Sequence, residues 1–230
     1  MILKNDIHSH ILFGVDDGFR KAEDSISALK KMQEMGVKKL FLTPHLNPDV
    51  YPNSNENIII EHFNEFKKTI LPAVDIDVRL AAEYMVVEDF ENFLPKLTFN
   101  GSDKYVLIEM SYYYKSNNIL DTIFNLVLND YKPILAHPER YLYQYQDLKF
   151  YDKVKDMGCL LQMNALSYIG IYGKESMKIL KYLKKNGMYD FIGSDLHSLS
   201  QLKKITDVRI KRRDDKFISN LVENNNKIFG

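Results

Sequence analysis

The sequence has one cysteine among its 230 residues and no surplus of either charge, and each shortage excludes classes of protein. Cys159 cannot form an intrachain disulfide, and it stands in the apolar run Cys159-Leu160-Leu161. A buried, unreactive thiol is therefore expected there rather than a nucleophile. Lysine plus arginine and aspartate plus glutamate number 31 each. Because no overall field then attracts nucleic acid or an anionic membrane, recognition of an anion must be local.

Long apolar runs are also missing. No stretch approaches the ~18 apolar residues of a membrane span, and the first residues lack the apolar core of a signal peptide. No linker rich in proline, glycine or serine divides the chain. The sequence therefore predicts a cytoplasmic protein without membrane insertion, folded as a single domain over residues 1–230. That length is usual for one α/β barrel of ~200–250 residues.

Short apolar runs alternate with longer stretches of helical periodicity, which is the pattern of repeated strand–helix units and a parallel sheet. The pattern predicts an α/β fold with strands at residues 3–7, 39–42, 77–81, 105–108, 133–136, 159–163 and 191–193. It predicts helices at residues 21–35, 55–71, 120–129, 149–157, 175–186, 200–211 and 215–223. Seven strands indicate a barrel, and the irregular residues 90–102 are expected to cap one end of it.

Potential metal ligands follow the predicted strands, where a barrel of this kind builds its active site. His8 and His10 follow the first strand, two residues apart, and so share one face of an extended segment. Glu83 and Glu109 each follow apolar residues, and a buried carboxylate is costly unless it is paired or bound to a cation. The other candidates at strand ends are His45, His137, Asp195 and His197.

Each of these potential ligands has a simpler interpretation, because a lone histidine after a strand is usually a core or rim residue. Their recurrence at successive strand ends favours a metal site. His62, by contrast, lies in the middle of a predicted helix among charged residues and is expected to face solvent. The pair Asp16-Asp17 precedes a glycine and by itself predicts a turn. After His-Ser-His, Asp17 is favoured as a ligand, whereas Asp16 is expected only to shape the loop.

The donor types narrow the choice of metal. Imidazole and carboxylate without thiolate suit Mn, Fe or Zn at a functional site rather than structural zinc or calcium. Nine candidate ligands exceed the needs of one ion and would serve two or three, with Glu83 as a plausible bridge. Clustered ions activate water and hold phosphoryl oxygens, which points to a metal-dependent phosphoesterase.

Motifs along the chain carry a family resemblance. They are Asp6-Ile7-His8-Ser9-His10, Asp16-Asp17-Gly18, Thr43-Pro44-His45, Ala82-Glu83, Leu107-Ile108-Glu109, Ala136-His137-Pro138-Glu139-Arg140-Tyr141, Gln162-Met163-Asn164 and Ser194-Asp195-Leu196-His197. Together they resemble the PHP superfamily (polymerase and histidinol phosphatase). Within it they most resemble the bacterial manganese-dependent protein tyrosine phosphatases of capsule and exopolysaccharide loci.

The resemblance implies a distorted (β/α)7 TIM-like barrel of PHP type and a protein tyrosine phosphatase that uses manganese. It implies a phosphotyrosine protein as substrate, with a bacterial tyrosine kinase of polysaccharide export as a candidate partner. It also implies a trinuclear site. By analogy one ion would be held by His8, His10, Glu83 and Asp195, a second by Glu83, Glu109 and His137, and a third by Asp17, His45 and His197.

Arg140 is the candidate catalytic residue outside the ligand set. As a hypothesis, metal-activated hydroxide attacks phosphorus in line while the planar guanidinium of Arg140 contacts the phosphate oxygens. The alternative is a surface salt bridge between Arg140 and Glu139. Related phosphatases often carry Gly-Arg-Pro soon after Ser-Asp-x-His, and residues 198–204 lack it. A second basic phosphate contact is therefore in doubt, and Lys203 and Lys204 more often form a solvated helix face.

Two further groups of residues have alternative interpretations. The tyrosines at 112–114, 141, 143 and 145 could line a site for an aromatic substrate, but they more often cover apolar surface at a barrel rim. The basic residues between 203 and 213 could bind nucleic acid. The acids interleaved with them favour a solvated helix instead.

Two other functions compete with tyrosine phosphatase. A histidinol-phosphate phosphatase would use the same metals on a small alkyl phosphate. A polymerase-associated PHP nuclease or metal-binding module would need a nucleic-acid surface or a larger polymerase chain, and the sequence indicates neither.

Overall fold

A computed structural model describes residues 3–87, 90, 95–99 and 104–230 of the chain. It is a mixed α/β structure with parallel sheets, and it divides into two compact units. The first unit combines Met1–Ala82 with Ile192–Gly230, and the second is Glu83–Phe191. The single domain over residues 1–230 stays a prediction.

The first unit is built on a parallel sheet in the order β1-β2-β4. Its register pairs Asp6 with Leu40 and Leu42 with Leu80. The strands are β1 (Asn5–Asp6), β2 (Lys39–Leu42), β3 (His45–Leu46) and β4 (Asp77–Leu80), and the helices between them are α1 (Ala22–Glu34) and α2 (Glu56–Thr69).

The second unit has a parallel sheet in which β5, β6, β7 and β8 are neighbours in that order. All five residues of β6 are buried, as expected for a strand covered on both faces. The elements are β5 (Glu83–Met85), β6 (Tyr105–Glu109), α3 (Ile119–Leu128), β7 (Lys132–Ala136), α4 (Phe150–Asp156), β8 (Leu160–Asn164) and α5 (Gly173–Lys185).

The chain then returns to the first unit through β9 (Phe191–Gly193), α6 (Leu199–Asp207) and α7 (Asp215–Phe229). The predicted end of α7 at residue 223 was wrong, because the helix continues past Asn225, which is fully buried. Its side-chain amide donates to the carbonyl of Asn5 at 3.0 Å and accepts from the amide of Ile192 at 3.3 Å. The ring of Phe229 packs edge-on against Phe41. These contacts continue the helix to Phe229.

The sequence predicted α1 well. Leu29 and Met32 are buried, and Gly36 after the helix takes a φ of 91°, which glycine adopts without steric cost. Helix α6 ends at Asp207, four residues before the predicted end, because Val208 is extended.

The seven predicted strands are present, two of them with the predicted ends and five with shifted ends, and two more appear among the described residues. Strand β3 begins at His45 and β5 begins at Glu83, so Glu83 opens a strand instead of following one. Both are too short to show an alternating pattern in the sequence. The predicted cap at residues 90–102 lies mostly outside the described residues.

Among the residues that the sequence assigned to solvent, the basic residues are exposed whereas His62 is only partly so. The six basic residues between 203 and 213 are all exposed. His62 lies on α2 and is half-buried. Within the described part of the chain, no helix combines the length and the apolar character needed to cross a membrane.

Candidate metal centre

Three donor atoms converge at the end of β1. His8 and His10 are fully buried, and their Nε2 atoms lie 3.2 Å apart. Asp195 Oδ1 lies 3.4 Å from each of these nitrogens. Nitrogen and oxygen donors ~2.0–2.2 Å from one ion at tetrahedral angles are ~3.4 Å apart, so the spacing fits a shared cation.

The segments that carry these donors are tied together by the backbone. The carbonyl of His8 accepts from the amide of Asp195 at 2.8 Å and from Ser194 Oγ at 3.0 Å. Asp6 Oδ1 accepts from the amide of Ser194 at 2.9 Å, and burial raises the pKa of Asp6. Asp195 takes a φ of 52°, a left-handed conformation that Asp tolerates better than most residues. Asp6 is thus a structural member of the site that sequence reasoning missed.

Asp16 orients His10. Its Oδ2 lies 2.7 Å from His10 Nδ1 and accepts from the amide of His45 at 3.0 Å, while its Oδ1 accepts from the amide of Gly18 at 2.9 Å. Burial opposes charge on both side chains. The His10–Asp16 interaction outweighs it, so that the pKa of His10 is raised well above its usual value and the pKa of Asp16 is lowered. Asp16 therefore shapes the loop, but the expectation that it does only this was wrong, because it also orients His10.

A second group of donors surrounds Asp17. Its Oδ1 lies 3.4 Å from His45 Nε2 and 3.5 Å from His197 Nε2. One donor atom each from His10, Asp17, His45 and His197 lies within 4.8 Å of the others. Partial burial would raise the pKa of Asp17, but hydrogen bonds to His197 and His45 outweigh it and lower that pKa. Imidazoles around a charged carboxylate form a donor set that fits a Mn, Fe or Zn ion.

His197 is also held in a defined orientation. Its Nδ1 lies 2.9 Å from the carbonyl oxygen of Asp195, and its backbone amide donates to Gln201 Oε1 at 2.7 Å. A hydrogen bond from Nδ1 leaves Nε2 as the nitrogen that can bind a cation. The first unit therefore brings six of the nine predicted ligands together, namely His8, His10, Asp17, His45, Asp195 and His197.

The second unit carries the remaining three predicted ligands, which are all fully buried. Glu83 begins β5, Glu109 ends β6 and His137 directly follows β7. His137 Nε2 lies 2.8 Å from Glu83 Oε1. A fully buried carboxylate is costly without a cation, so Glu83 beside His137 and the buried Glu109 each suit a divalent metal. The role of all nine residues as ligands stays a prediction.

Two of the tyrosines for which the sequence left a substrate-lining role open lie at these strand ends. The hydroxyl of Tyr141 donates to the carbonyl of Ala136 at 3.0 Å and accepts from the amide of Met110 at 3.0 Å. Burial raises the pKa of Tyr141 well above its usual value, and the Glu109 carboxylate raises it further. The hydroxyl of Tyr112 lies 3.1 Å from His137 Nε2. Tyr141 therefore remains a hydrogen-bond donor that joins the ends of β6 and β7.

Arg140 ends a short 3-10 turn, Pro138–Arg140, that follows His137. Its Cζ lies over the rings of Tyr112 and Tyr172, 4.5 Å from each centroid. Glu139 is fully buried, and its carboxylate accepts from the amide of Asn164 and from the hydroxyl of Tyr189, each at 2.8 Å. The predicted alternative, a surface salt bridge of Arg140 with Glu139, was wrong because Glu139 is not at the surface.

The only cysteine lies just before β8 and is fully buried, as predicted. Burial raises the pKa of the Cys159 thiol to about 12. A nucleophilic cysteine needs an accessible thiol with a lowered pKa, so both the burial and the raised pKa of Cys159 argue against a thiol–phosphate intermediate there.

Comparison with known proteins confirms the resemblance read from the motifs. Residues 4–229 match the family described as Capsular polysaccharide synthesis, CpsB/CapC. The chain is 30% identical to tyrosine-protein phosphatase CpsB of Streptococcus pneumoniae over 205 residues, 84% of this chain and 83% of that one. It is 28% identical to tyrosine-protein phosphatase YwqE of Bacillus subtilis (strain 168) over 197 residues, 84% and 77% of the two chains.

The fold agrees with these relatives. A solved structure from work on YwqE of Bacillus subtilis and CpsB of Streptococcus pneumoniae, described as metal-dependent tyrosine phosphatases, superposes with a TM-score of 0.74 at 24% identity. The match covers 95% of this chain and 89% of that one. With nearly its whole length matched in sequence and in fold, the chain belongs to the CpsB/CapC family of capsular polysaccharide synthesis.

Proposed function

We propose that the protein is a metal-dependent protein tyrosine phosphatase that hydrolyses phosphotyrosine in a protein substrate. The observation that carries the proposal is the convergence of buried imidazoles and carboxylates at distances that suit a cation, with no thiolate among them. The relatives named as tyrosine-protein phosphatases support the choice of phosphotyrosine. A bacterial tyrosine kinase of polysaccharide export is the proposed phosphotyrosine protein partner.

The proposed ligands are the six residues of the first unit and the three of the second, and they would hold two or three ions. Manganese is the proposed metal, with iron or zinc as alternatives that suit the same donors. Bound ions would supply activated water and positive charge on the phosphoryl oxygens. His10 could belong to either of two ions in the first unit. Its Nε2 lies 3.2 Å from His8 Nε2, and one of its ring nitrogens also lies within 4.8 Å of a donor atom of Asp17.

Arg140 is the proposed phosphate-binding residue beside the metal ligands. It offers N–H donors in a planar fork that matches phosphate oxygens.

The leaving group bears on the choice of substrate. A phenolate leaving group has a pKa near ~10, so it needs less protonation by a general acid than an alkoxide would. This difference favours aryl phosphates over the alkyl phosphate of histidinol phosphate.

The arrangement of the strands in a barrel is also proposed. Parallel strands alternate with helices in both units, which supports a distorted (β/α)7 barrel of PHP type. A cytoplasmic location is proposed as well. The single buried cysteine suits a reducing compartment.

The function is tested with purified protein loaded with Mn²⁺. A phosphotyrosine peptide, histidinol phosphate and single-stranded DNA are compared as substrates. We expect turnover of the phosphotyrosine peptide, its loss on chelation with EDTA, and no loss after alkylation of thiols. Preferred turnover of histidinol phosphate or of DNA, or activity that survives EDTA, would contradict the proposal.

A further inference from the structure

We infer that Tyr172 is a positioning residue that holds the guanidinium of Arg140 in place for phosphate. The inference rests on the proposed function, because it assigns Arg140 to the phosphoryl oxygens. Tyr172 lies outside every motif that carries the family resemblance, and it stands immediately before α5.

The contact itself suits a positioning role. Arg140 is half-buried, and its Cζ lies 4.5 Å from the ring centroids of both Tyr172 and Tyr112. A ring under a guanidinium attracts the cation through its π face, whereas the N–H donors lie in the guanidinium plane. Aromatic contacts therefore restrict a long, flexible side chain without using the donors that phosphate needs.

Tyr172 is in turn connected to the turn that carries Arg140. Asn164, the last residue of β8, donates from Nδ2 to the hydroxyl of Tyr172 at 3.3 Å. The backbone amide of the same Asn164 donates to Glu139 Oε1 at 2.8 Å. Glu139 precedes Arg140 in the chain, so these contacts form a closed circuit from Arg140 through Tyr172, Asn164 and Glu139. The circuit gives Asn164, the last residue of the Gln162-Met163-Asn164 motif, a role that the metal ligands do not explain.

A substitution at Tyr172 tests phosphate positioning separately from metal binding, which a substitution at Tyr112 does not. The Tyr112 hydroxyl contacts His137, a proposed ligand, so a change there could disturb an ion. The contacts of Tyr172 described above are to Arg140 and Asn164, neither of which is a proposed ligand.

The first experiment compares Tyr172→Leu, which removes the ring, with Tyr172→Phe, which keeps it. In Mn²⁺-loaded protein, we expect Tyr172→Leu to lower kcat/KM for a phosphotyrosine peptide about tenfold and to weaken inhibition by inorganic phosphate to a similar degree. Tyr172→Phe should stay within about threefold of the parent for both quantities. Metal content should be equal in all three proteins. If Tyr172→Leu does not fold, Tyr172→Met replaces it.

The second experiment repeats the Tyr172 substitutions in an Arg140→Ala background. If the ring acts through Arg140, its removal there should change phosphate inhibition and kcat/KM by less than about twofold. An equal loss in both backgrounds would overturn the inference, because the ring would then act independently of Arg140.

Tyr131→Leu is the matched control. It removes another ring under a cation in the second unit, since Lys104 Nζ lies 5.1 Å from the Tyr131 centroid next to the start of β7. We expect no change in phosphate inhibition. A loss equal to that of Tyr172→Leu would also overturn the inference. Titration calorimetry with inorganic phosphate keeps the two proposals distinguishable. Absent phosphotyrosine turnover contradicts the function, whereas unchanged phosphate affinity in Tyr172→Leu contradicts only the positioning role.

Discussion

Asp16 Oδ2 and His10 Nδ1 form a 2.7 Å hydrogen bond between two fully buried side-chain groups. The bond directs His10 Nε2 toward His8 and Asp195, because an imidazole that donates from one nitrogen presents the other as the ligand. Carboxylates that orient metal-binding histidines in this way contribute to affinity although they do not touch the ion.

We therefore predict that Asp16→Asn lowers affinity for Mn²⁺ about 10–100-fold. The measurement is titration calorimetry of metal-free protein. Asp77→Asn is the control, since Asp77 pairs with Arg79 and Lys39 at the partly exposed β4. Equal affinity in Asp16→Asn and the parent would show that the loop, and not Asp16, orients His10.

Glu109 should have opposite effects on the metal-free and the metal-loaded protein. It is fully buried, and Glu109→Gln removes a charge whose desolvation is costly. We expect the EDTA-treated variant to unfold at a higher temperature than the EDTA-treated parent, and the rise in Tm on adding Mn²⁺ to be smaller. Differential scanning calorimetry measures both quantities. A variant whose Tm responds to Mn²⁺ as the parent does would remove Glu109 from the ligand set.

Arg140→Ala should lower kcat/KM for a phosphotyrosine peptide by about 100-fold or more, because the developing charge on the phosphoryl oxygens loses a donor. Metal content, measured by atomic emission, should not change. Arg140→Lys restores the charge but not the planar fork, so it should recover only part of the loss. Arg213→Ala, at an exposed position, is the control. If Arg140→Ala had the same kinetics as the parent, the proposed catalytic role of Arg140 would be wrong.

Alkaline pH should destabilise the protein through Tyr151 and Tyr189. Burial raises the pKa of each well above its usual value, and the Glu139 carboxylate raises both further. The folded state therefore binds these protons more tightly than the unfolded chain. Their contribution is fully present below the unfolded tyrosine pKa of ~10 and is lost as pH rises through the folded values.

Urea unfolding between pH 8 and pH 11 measures this effect. The free energy of unfolding should fall with pH in the parent, and it should fall less steeply in Tyr189→Phe, which has one fewer buried phenol. Identical slopes for the two proteins would mean that Tyr189 does not contribute to the loss of stability at alkaline pH.

The parts of the site that follow from adjacent residues were predictable. Two histidines two apart on an extended segment share a face whatever the rest of the chain does, so His8 and His10 could be paired from the sequence. The parallel α/β pattern followed in the same way from alternating apolar runs and helical stretches.

The unpredicted parts depend on contacts between distant residues. Nothing near Asn225 in the sequence shows that it hydrogen-bonds Asn5 and Ile192, so its place within α7 could not be predicted. Tyr172 likewise looks like an ordinary loop tyrosine until Arg140 is placed over its ring. Strands as short as β3 and β5 carry no periodicity of their own, and only pairing defines them.

The hydrogen bond from Ser194 Oγ to the carbonyl of His8 joins residues 186 positions apart. A ribosome adds about 5–20 residues per second, so His8 and His10 wait roughly 10–40 s for Asp195 to be synthesised. During that interval the two imidazoles could offer a divalent ion only two nitrogen donors. The donor group at the end of β1 is therefore complete only after most of the chain has been synthesised.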